Sequence, residues 1–219
     1  MRAPRALPPR VLALTPGDLA PRAFDAFLAS LRRAVEAGLE GVLLREPDLS
    51  DRDTERLARG IAAALAPRAG WLGIHDRVHL ARALDADAAH LGFRSLAPEV
   101  ARELLAPGQA LGLSAHARDD RRAWKGADYL FFGPLHETPS KRGLEEPVGK
   151  AGLARALEGT EIPIWAIGGI DPERAAEALA AGARGVAVRA ALLGSADPAA
   201  AWRRFATRLA PGAGAGAPR

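Results

Sequence analysis

Short apolar runs alternate with longer segments of helical periodicity from one end of the chain to the other. The apolar runs have the length of buried strands. They predict strands at residues 11–14, 41–44, 71–74, 88–91, 111–114, 129–132, 164–167 and 185–188. The segments between them repeat apolar residues every three to four positions, which predicts helices at about 22–37, 50–66, 77–84, 98–105, 118–125, 150–159, 172–181 and 197–208.

Eight strands, each followed by a helix, are typical of a single (β/α)8 barrel, the α/β fold known as the TIM barrel. An open doubly wound sheet is the alternative fold, but it usually carries a glycine-rich turn after its first strand. Here the first strand is followed by Thr15-Pro16-Gly17, which lacks that pattern. We therefore predict one barrel domain over residues 1–209 and a disordered tail, rich in Gly and Ala, over 210–219.

Composition narrows the class of partner. The 219 residues include no cysteine, which excludes disulfides and a catalytic thiolate. The apolar runs are too short to cross a membrane. A pI near 10.2 would suit nucleic acid, but the net charge is only +4 and the arginines are spread along the predicted helices. We expect a cytoplasmic protein with a small-molecule partner and neither a nucleic-acid nor a membrane partner.

Polar side chains gather where the predicted strands end. In barrels of this type the catalytic groups come from the C-terminal ends of the strands, whatever the reaction. The residues at these ends are Arg45, His75, Asp76, Ser114, His116 and His136, while His90 lies within the fourth strand. For any single one of these histidines a structural role is the better explanation, so the prediction depends on their convergence at one rim.

A phosphate site is predicted at the ends of the seventh and eighth strands, where such barrels commonly place one. Gly168 and Gly169 lie where the seventh strand gives way to a helix. Their backbone N–H groups can approach an anion closely, and the helix N-terminus adds partial positive charge. Val188 and Arg189 end the eighth strand, and a short extra helix after them would add more N–H groups. The alternative is that the two glycines serve only a tight turn.

The long connection at residues 133–149 follows the sixth strand and is rich in Gly and Pro. Its two hydroxyls, Thr138 and Ser140, stand beside Lys141 and Arg142, a combination that suits phosphoryl oxygens. A mobile loop can close such a clamp over a substrate and exclude water. A solvated surface loop with ordinary turn residues explains the same sequence equally well.

Nearly the whole chain resembles the thiamine phosphate synthase / TenI superfamily. The matching stretches are Leu44-Arg45-Glu46, His75-Asp76-Arg77, Ala89-His90-Leu91-Gly92, Leu113-Ser114-Ala115-His116, Ala127-Asp128-Tyr129, Gly133-Pro134, Thr138-Pro139-Ser140-Lys141, and residues 163–170 and 182–188. Their number, order and spacing carry the resemblance. It implies a barrel enzyme of thiamine biosynthesis that binds thiazole phosphate.

The resemblance implies one of two activities. A synthase couples a pyrimidine diphosphate to thiazole phosphate and releases pyrophosphate with the help of Mg²⁺. TenI-type relatives instead aromatise a thiazole carboxylate phosphate by proton transfer, without a metal. The synthase pattern has Gln, Lys and Asn where this chain has Leu43, Pro47 and His75, and it has a second metal-binding aspartate where this chain has Ser95. With Asp76 as its only carboxylate, this chain would hold Mg²⁺ weakly unless substrate phosphates supply the other ligands.

The TenI hypothesis needs a histidine for proton transfer, and the family's histidine matches Pro134 in this chain. His136 lies two residues further on and would face the same way along an extended segment. His75 and His116 are alternatives at the same rim. A neutral imidazole whose pKa lies near the working pH suits such a transfer.

We therefore expect a TenI-like thiazole phosphate enzyme. A thiamine phosphate synthase is the first alternative, and a non-catalytic barrel that binds thiazole or thiamine phosphate is the second. The catalytic candidates are His136, Lys141, Arg45 and Ser114. The substrate-binding candidates are Thr138, Ser140, Lys141, Gly168, Gly169, Val188, Arg189, His75 and His116. No cofactor is expected in the TenI case, whereas Asp76 would hold Mg²⁺ in a synthase. The expected partner is a small phosphorylated substrate, and the barrel is compatible with a homodimer.

Overall fold

The computed structural model describes residues 7–92, 95–138 and 146–210. The strands are β1 (Val11–Leu14), β2 (Gly41–Leu44), β3 (Trp71–His75), β4 (Ala88–Leu91), β5 (Ala110–Ala115), β6 (Tyr129–Phe132), β7 (Ile164–Ile167) and β8 (Gly185–Val188). The α-helices are α1 (Phe24–Glu36), α2 (Asp51–Leu65), α3 (Val78–Ala83), α4 (Pro98–Leu104), α5 (Gly149–Glu158), α6 (Pro172–Ala180) and α7 (Pro198–Leu209). Single 3₁₀ turns occupy Pro21–Ala23, Ala66–Arg68 and Arg121–Trp124.

The strands form one closed barrel in which each pairs in parallel with its neighbour along the chain. The sheet closes where β1 pairs with β8, with Val11 opposite Val186 and Ala13 opposite Val188. Parallel strands with helical crossovers need their helices outside the sheet, and closure leaves no strand edge exposed. The predicted (β/α)8 barrel is therefore confirmed.

Alternation of side chains along each strand divides the core into two layers. The inner layer fills the barrel and includes Leu12, Leu43, Trp71, Ala88, Ala110, Tyr129, Phe131, Trp165 and Ala187. The outer layer lies between strands and helices and includes Val42, Leu44, Ile61, Leu111, Leu130, Val186 and Phe205. The barrel is thus packed with side chains along its axis, which leaves its C-terminal rim as the place for a site.

The same alternation decides which polar side chains point towards the barrel axis. Arg45 lies two residues after the inward-facing Leu43, and Arg189 lies two residues after the inward-facing Ala187. Ser114 stands in the same relation, four residues after Ala110. Val188 has the opposite parity, and its buried side chain belongs to the outer layer. Only the backbone of Val188 can therefore face the rim.

The fifth crossover departs from the sequence prediction. A helix over 118–125 was expected, and the structure has only the 3₁₀ turn Arg121–Trp124. Asp120 caps this turn by accepting the backbone N–H of Arg122, and Gly126, at φ +91°, follows its last residue by two positions. Too few residues lie between Asp120 and Gly126 for an α-helix. The capping aspartate and the glycine with positive φ therefore decide the local structure, despite the helical periodicity of the sequence.

The remaining predicted elements match the observed ones to within two residues at each end. The helix α7 ends at Leu209, and the predicted tail lies outside the described residues except for residue 210. The domain bounds 1–209 and 210–219 stay a prediction. Among the described residues, no helix is long and apolar enough to span a membrane.

Candidate active site

A buried histidine anchors the β3–β4–β5 side of the rim. His90 is 1% exposed, with Nδ1 3.3 Å from the Tyr129 hydroxyl and Nε2 3.1 Å from Ser114 Oγ. The ring of His75 stacks on it at a centroid distance of 5.9 Å. Burial holds the pKa of His90 well below its usual range, so the imidazole is neutral at neutral pH. Nδ1, beside the Tyr129 hydroxyl, fixes the ring, and Nε2 then holds the Ser114 hydroxyl at the rim.

Asp76 is held by hydrogen bonds on both carboxylate oxygens. Oδ2 lies 3.1 Å from His75 Nδ1, while Oδ1 accepts the Gly92 N–H at 2.9 Å and the hydroxyl of Ser95. Asp76 also adopts a left-handed backbone, at φ +59°. Burial raises the pKa of Asp76, but the hydrogen bonds to His75 and Ser95 outweigh it and keep that pKa below its usual range.

This arrangement does not fit the two-carboxylate magnesium site that the family resemblance implies. Ser95 occupies the second position and donates its hydroxyl to Asp76 rather than offering a carboxylate. Three of the oxygen lone pairs of Asp76 are already engaged by neighbouring groups. No cluster of three or more His, Asp or Glu side chains suited to a metal ion occurs in the described part of the chain.

The loop after β1 is fixed by a buried carboxylate. Glu46 is 3% exposed, and its two oxygens accept the N–H groups of Gly17 and Leu19, each at 2.8 Å. Thr15 Oγ1 accepts the N–H of Arg45 at 2.9 Å. The sequence prediction assigned no role to Thr15 or Glu46. The available signal was a carboxylate directly after Arg45 at a strand end, where an acidic side chain can tie down a neighbouring loop.

Two arginines converge beside that loop. The Nη1 atoms of Arg45 and Arg189 each lie 3.6 Å from the point where a Cβ on Gly17 would stand. Both side chains are half-buried. No hydrogen bond or ion pair from either guanidinium to another side chain is found within residues 7–92, 95–138 and 146–210. The structure thus brings together two predicted site residues from β2 and β8.

The glycine pair after β7 is required by close packing against the β6 loop. Gly168 and Gly169 have φ values of +98° and +64°. A Cβ on Gly168 would lie 2.6 Å from Pro134 Cα, and one on Gly169 would lie 2.8 Å from His136 Cβ. A tight turn thus explains the two glycines. The phosphate hypothesis retains independent support, because neither glycine N–H donates to an acceptor among the described residues.

The segment after β8 forms hydrogen-bonded turns rather than the short helix that was expected. The carbonyl of Arg189 accepts the N–H groups of Leu192 at 3.1 Å and Gly194 at 3.2 Å. The N–H groups of Ala190 and Ala191 have no acceptor in the described part of the chain. Backbone donors therefore remain available at the ends of both β7 and β8.

The other predicted site residues lie in separate surroundings. His136 is half-buried beside Gly169, and burial followed by the charge of Arg174 lowers its pKa. The backbone N–H of His116 donates to Asp119 Oδ2 at 2.6 Å, which fixes a turn after β5. Thr138 is half-buried. Ser140, Lys141 and Arg142 lie outside the described residues.

Comparison with known proteins decides the family. A family model described as thiamine monophosphate synthase (TMP-TENI) matches residues 14–192, from the end of β1 to the turn after β8. The thiamine-phosphate synthase of Moorella thermoacetica is 40% identical over 180 residues, which cover 81% of this chain and 86% of that protein. The chain belongs to the thiamine monophosphate synthase family.

Further relatives of this thiamine monophosphate synthase family member agree. The thiamine-phosphate synthase of Chlorobium phaeobacteroides is 37% identical over 180 residues, covering 80% of this chain and 86% of that protein. The solved thiamine phosphate pyrophosphorylase of Pyrococcus furiosus superposes with a TM-score of 0.78 at 29% identity, covering 91% of this chain and 94% of that one. The predicted superfamily and the prediction of an enzyme are confirmed. These relatives favour the synthase activity over the TenI-like activity that the sequence departures suggested.

Proposed function

We propose that this family member is a thiamine phosphate synthase, which joins hydroxymethylpyrimidine diphosphate to thiazole phosphate and releases pyrophosphate. The observation that carries the proposal is the presence of two groups of anion-binding donors on one rim. Backbone N–H groups that have no acceptor among the described residues lie at the ends of β7 and β8, and two guanidinium groups lie beside the β1 loop. Two phosphorylated substrates require two such groups, whereas a tautomerase that acts on one thiazole phosphate requires one.

The backbone donors suit the phosphate of the thiazole. The N–H groups of Gly168, Gly169, Ala190 and Ala191 are free of protein acceptors among the described residues. Gly168 and Gly169 lie shortly before the N-terminus of α6, where Asp171 caps the helix by accepting the Arg174 N–H at 2.8 Å. Backbone N–H groups at such a terminus favour a phosphate without the need for a side-chain cation.

The guanidinium of Arg45 suits the diphosphate. In the proposed reaction the bond between the pyrimidine methylene carbon and the diphosphate oxygen breaks, and a bond from the thiazole nitrogen to that carbon forms. The leaving pyrophosphate takes the electron pair, so negative charge grows on the oxygen that was bonded to the methylene carbon. A fixed cation directed at that charge stabilises the transition state more than the ground state.

The β3–β4–β5 side supplies a polar wall of fixed geometry. The neutral imidazole of His90 lies 3.1 Å from Ser114 Oγ and orients it. The hydroxyl can therefore form a hydrogen bond with a substrate atom without losing rotational freedom at that moment. The thiazole nitrogen attacks with its lone pair and becomes quaternary, so no proton has to be removed from it. A general base at position 134 is therefore not needed for this reaction, and the proline there is compatible with it.

The predicted clamp of Thr138, Ser140 and Lys141 would close over the phosphates from the β6 side, and this remains a prediction. The described residues do not fit a two-carboxylate magnesium site, so no step of the proposed reaction is assigned to a metal. His136 can serve as the proton-transfer residue of a tautomerase only if its side chain faces the substrate. Among the described residues, no hydrogen bond, ion pair or ring contact joins it to His75, His90 or Ser114.

Product analysis tests the proposal. The full chain is incubated with hydroxymethylpyrimidine diphosphate and thiazole phosphate, and thiamine phosphate and pyrophosphate are measured. We expect thiamine phosphate and pyrophosphate to form in equal amounts, both with the wild type and with the His136→Ala variant. Turnover of thiazole carboxylate phosphate that His136→Ala abolishes, with no thiamine phosphate formed, would instead establish the TenI-like activity. Tight binding of thiazole phosphate with neither product would identify a non-catalytic binder.

A further inference from the structure

The guanidinium groups of Arg45 and Arg189 form what we call the arginine pair. They come from strand ends on either side of β1, and each places Nη1 3.6 Å from the same point above Gly17. Both residues are half-buried, which limits the water that can screen one charge from the other. Two cations held this close to one point repel each other unless an anion lies between them.

The residues that the structure describes do not supply that anion. The nearest carboxylate in sequence, Glu46, is buried and uses its two oxygens to accept the N–H groups of Gly17 and Leu19. No carboxylate within the described ranges forms an ion pair with either arginine. Gly17 itself leaves space at the meeting point, since it has no side chain to fill it and its φ of +99° disfavours any other residue.

The opposite side of the rim lacks a cation site of the expected kind. Ser95 stands in place of the second carboxylate, and Asp76 is engaged by His75, Gly92 and Ser95. A diphosphate that leaves during the reaction nevertheless needs its charge neutralised. A pair of guanidinium groups can do so, because each offers a planar fork of donors that matches phosphoryl oxygens.

We infer that the arginine pair binds the diphosphate of the pyrimidine substrate directly. The positive charge of Arg189 then takes the place of the metal ion that a second carboxylate at position 95 would help to hold. This inference rests on the proposed function. It makes Arg189 a binding residue through its guanidinium as well as through the backbone that follows β8. It also makes diphosphate binding independent of a divalent metal.

Calorimetric titration with inorganic pyrophosphate in the presence of EDTA tests the inference on the full chain. We expect the wild type to bind, and Arg189→Ala and Arg45→Ala each to bind about 10- to 100-fold more weakly, the loss typical of one charged hydrogen-bonding partner. Arg189→Lys should recover part of the affinity, because lysine keeps the charge but not the fork. Arg184→Ala is the matched control, since Arg184 flanks the other end of β8 and is exposed. It should bind like the wild type.

Two results would overturn the inference. One is wild-type binding that vanishes in EDTA and returns with Mg²⁺, and the other is Arg189→Ala binding pyrophosphate as tightly as the wild type. Both are separable from failure of the proposed function. If thiamine phosphate forms but Arg189→Ala leaves the pyrophosphate affinity unchanged, the inference fails and the synthase assignment stays intact. If pyrophosphate binding depends on the arginines but no thiamine phosphate forms, the pyrophosphate site is supported and the synthase function is rejected.

Discussion

The two sides of the rim differ in whether their polar groups already have partners. On the β3–β4–β5 side, Asp76 is hydrogen-bonded to His75 and Ser95, and His90 is hydrogen-bonded to Ser114. On the β8–β1–β2 side, the arginine pair and the backbone N–H groups after β7 and β8 find no acceptor within the described residues.

The difference shows how one rim can combine rigidity with binding capacity. A satisfied network keeps its geometry when the ligand arrives, because no internal hydrogen bond has to be exchanged. Unpaired donors, in contrast, gain their hydrogen bonds only from a ligand, so they contribute directly to its affinity. We therefore expect substitutions on the unpaired side to affect activity most and substitutions on the satisfied side to affect mainly stability.

Replacement of Arg45 should produce the largest effect. Arg45→Met is expected to lower kcat/KM for thiamine phosphate formation by about 100- to 1000-fold, as loss of one charge-stabilising donor does. Ser114→Ala, on the satisfied side, should lower it by about 10-fold or less. Steady-state kinetics of both variants make the test, and equal losses would remove the functional distinction between the two sides.

Gly168→Ala is the exception on the unpaired side, because a steric clash should make it cost the most stability. Its Cβ would meet Pro134 at 2.6 Å in a backbone at φ +98°, so we expect a loss of about 3 kcal/mol in the free energy of unfolding. Gly182→Ala is the matched control, with φ +104° but its nearest neighbour, Leu157 Cδ1, at 3.4 Å. It should lose only about 1 kcal/mol. Denaturant titration measures the free energy of unfolding of both variants. Similar losses would show that the loop after β6 moves to accommodate the added methyl group at little cost.

Stability should fall with acid because of His90. Its pKa in the folded protein lies well below the usual 6.5, so below that pH the unfolded chain binds a proton that the folded chain does not. The free energy of unfolding should therefore decrease by about 2 kcal/mol between pH 7 and pH 5 through this residue. His90→Gln should show a shallower decrease. A wild-type slope in His90→Gln would contradict the prediction.

The smallest effect concerns the metal. Ser95→Asp restores a second carboxylate beside Asp76, and we expect Mg²⁺ to raise the Tm of this variant by about 2–4 °C, equivalent to about 1 kcal/mol. The wild type and Ser95→Asn, which has similar size without charge, should show no such rise. An equal rise in the wild type would mean that Asp76 and its neighbours bind Mg²⁺ without a second carboxylate.

Much of the fold followed from local patterns. The strands 11–14, 41–44 and 164–167 were predicted to the residue, because each is a short apolar run bounded by turn residues. The crossover after β5 was not predicted, since the interaction of Asp120 with the backbone N–H of Arg122 competes with helix formation over only a few residues. Periodicity over so short a window cannot register that competition.

The candidate site was only partly accessible from sequence. Strand ends pointed to Arg45, His75, Ser114 and Arg189 as rim residues, and strand parity places these side chains on the inner face. The role of Glu46 was missed, because its partners are backbone N–H groups 27 and 29 residues away in the chain. The departures from the synthase pattern at Leu43, Pro47, His75 and Ser95 led towards a TenI-like activity, whereas the relatives support the synthase.

The sequence by itself determined the barrel, the family and the rim at which polar groups gather, because strand period, helix period and motif order are local properties of the chain. Only the tertiary structure decided which of those groups are satisfied and which are free. Closure of the sheet brings β8 beside β1, and residues 45 and 189 then share one point above Gly17. Whether a side chain has a partner depends on distances between residues far apart in sequence, and those distances exist only in the folded barrel.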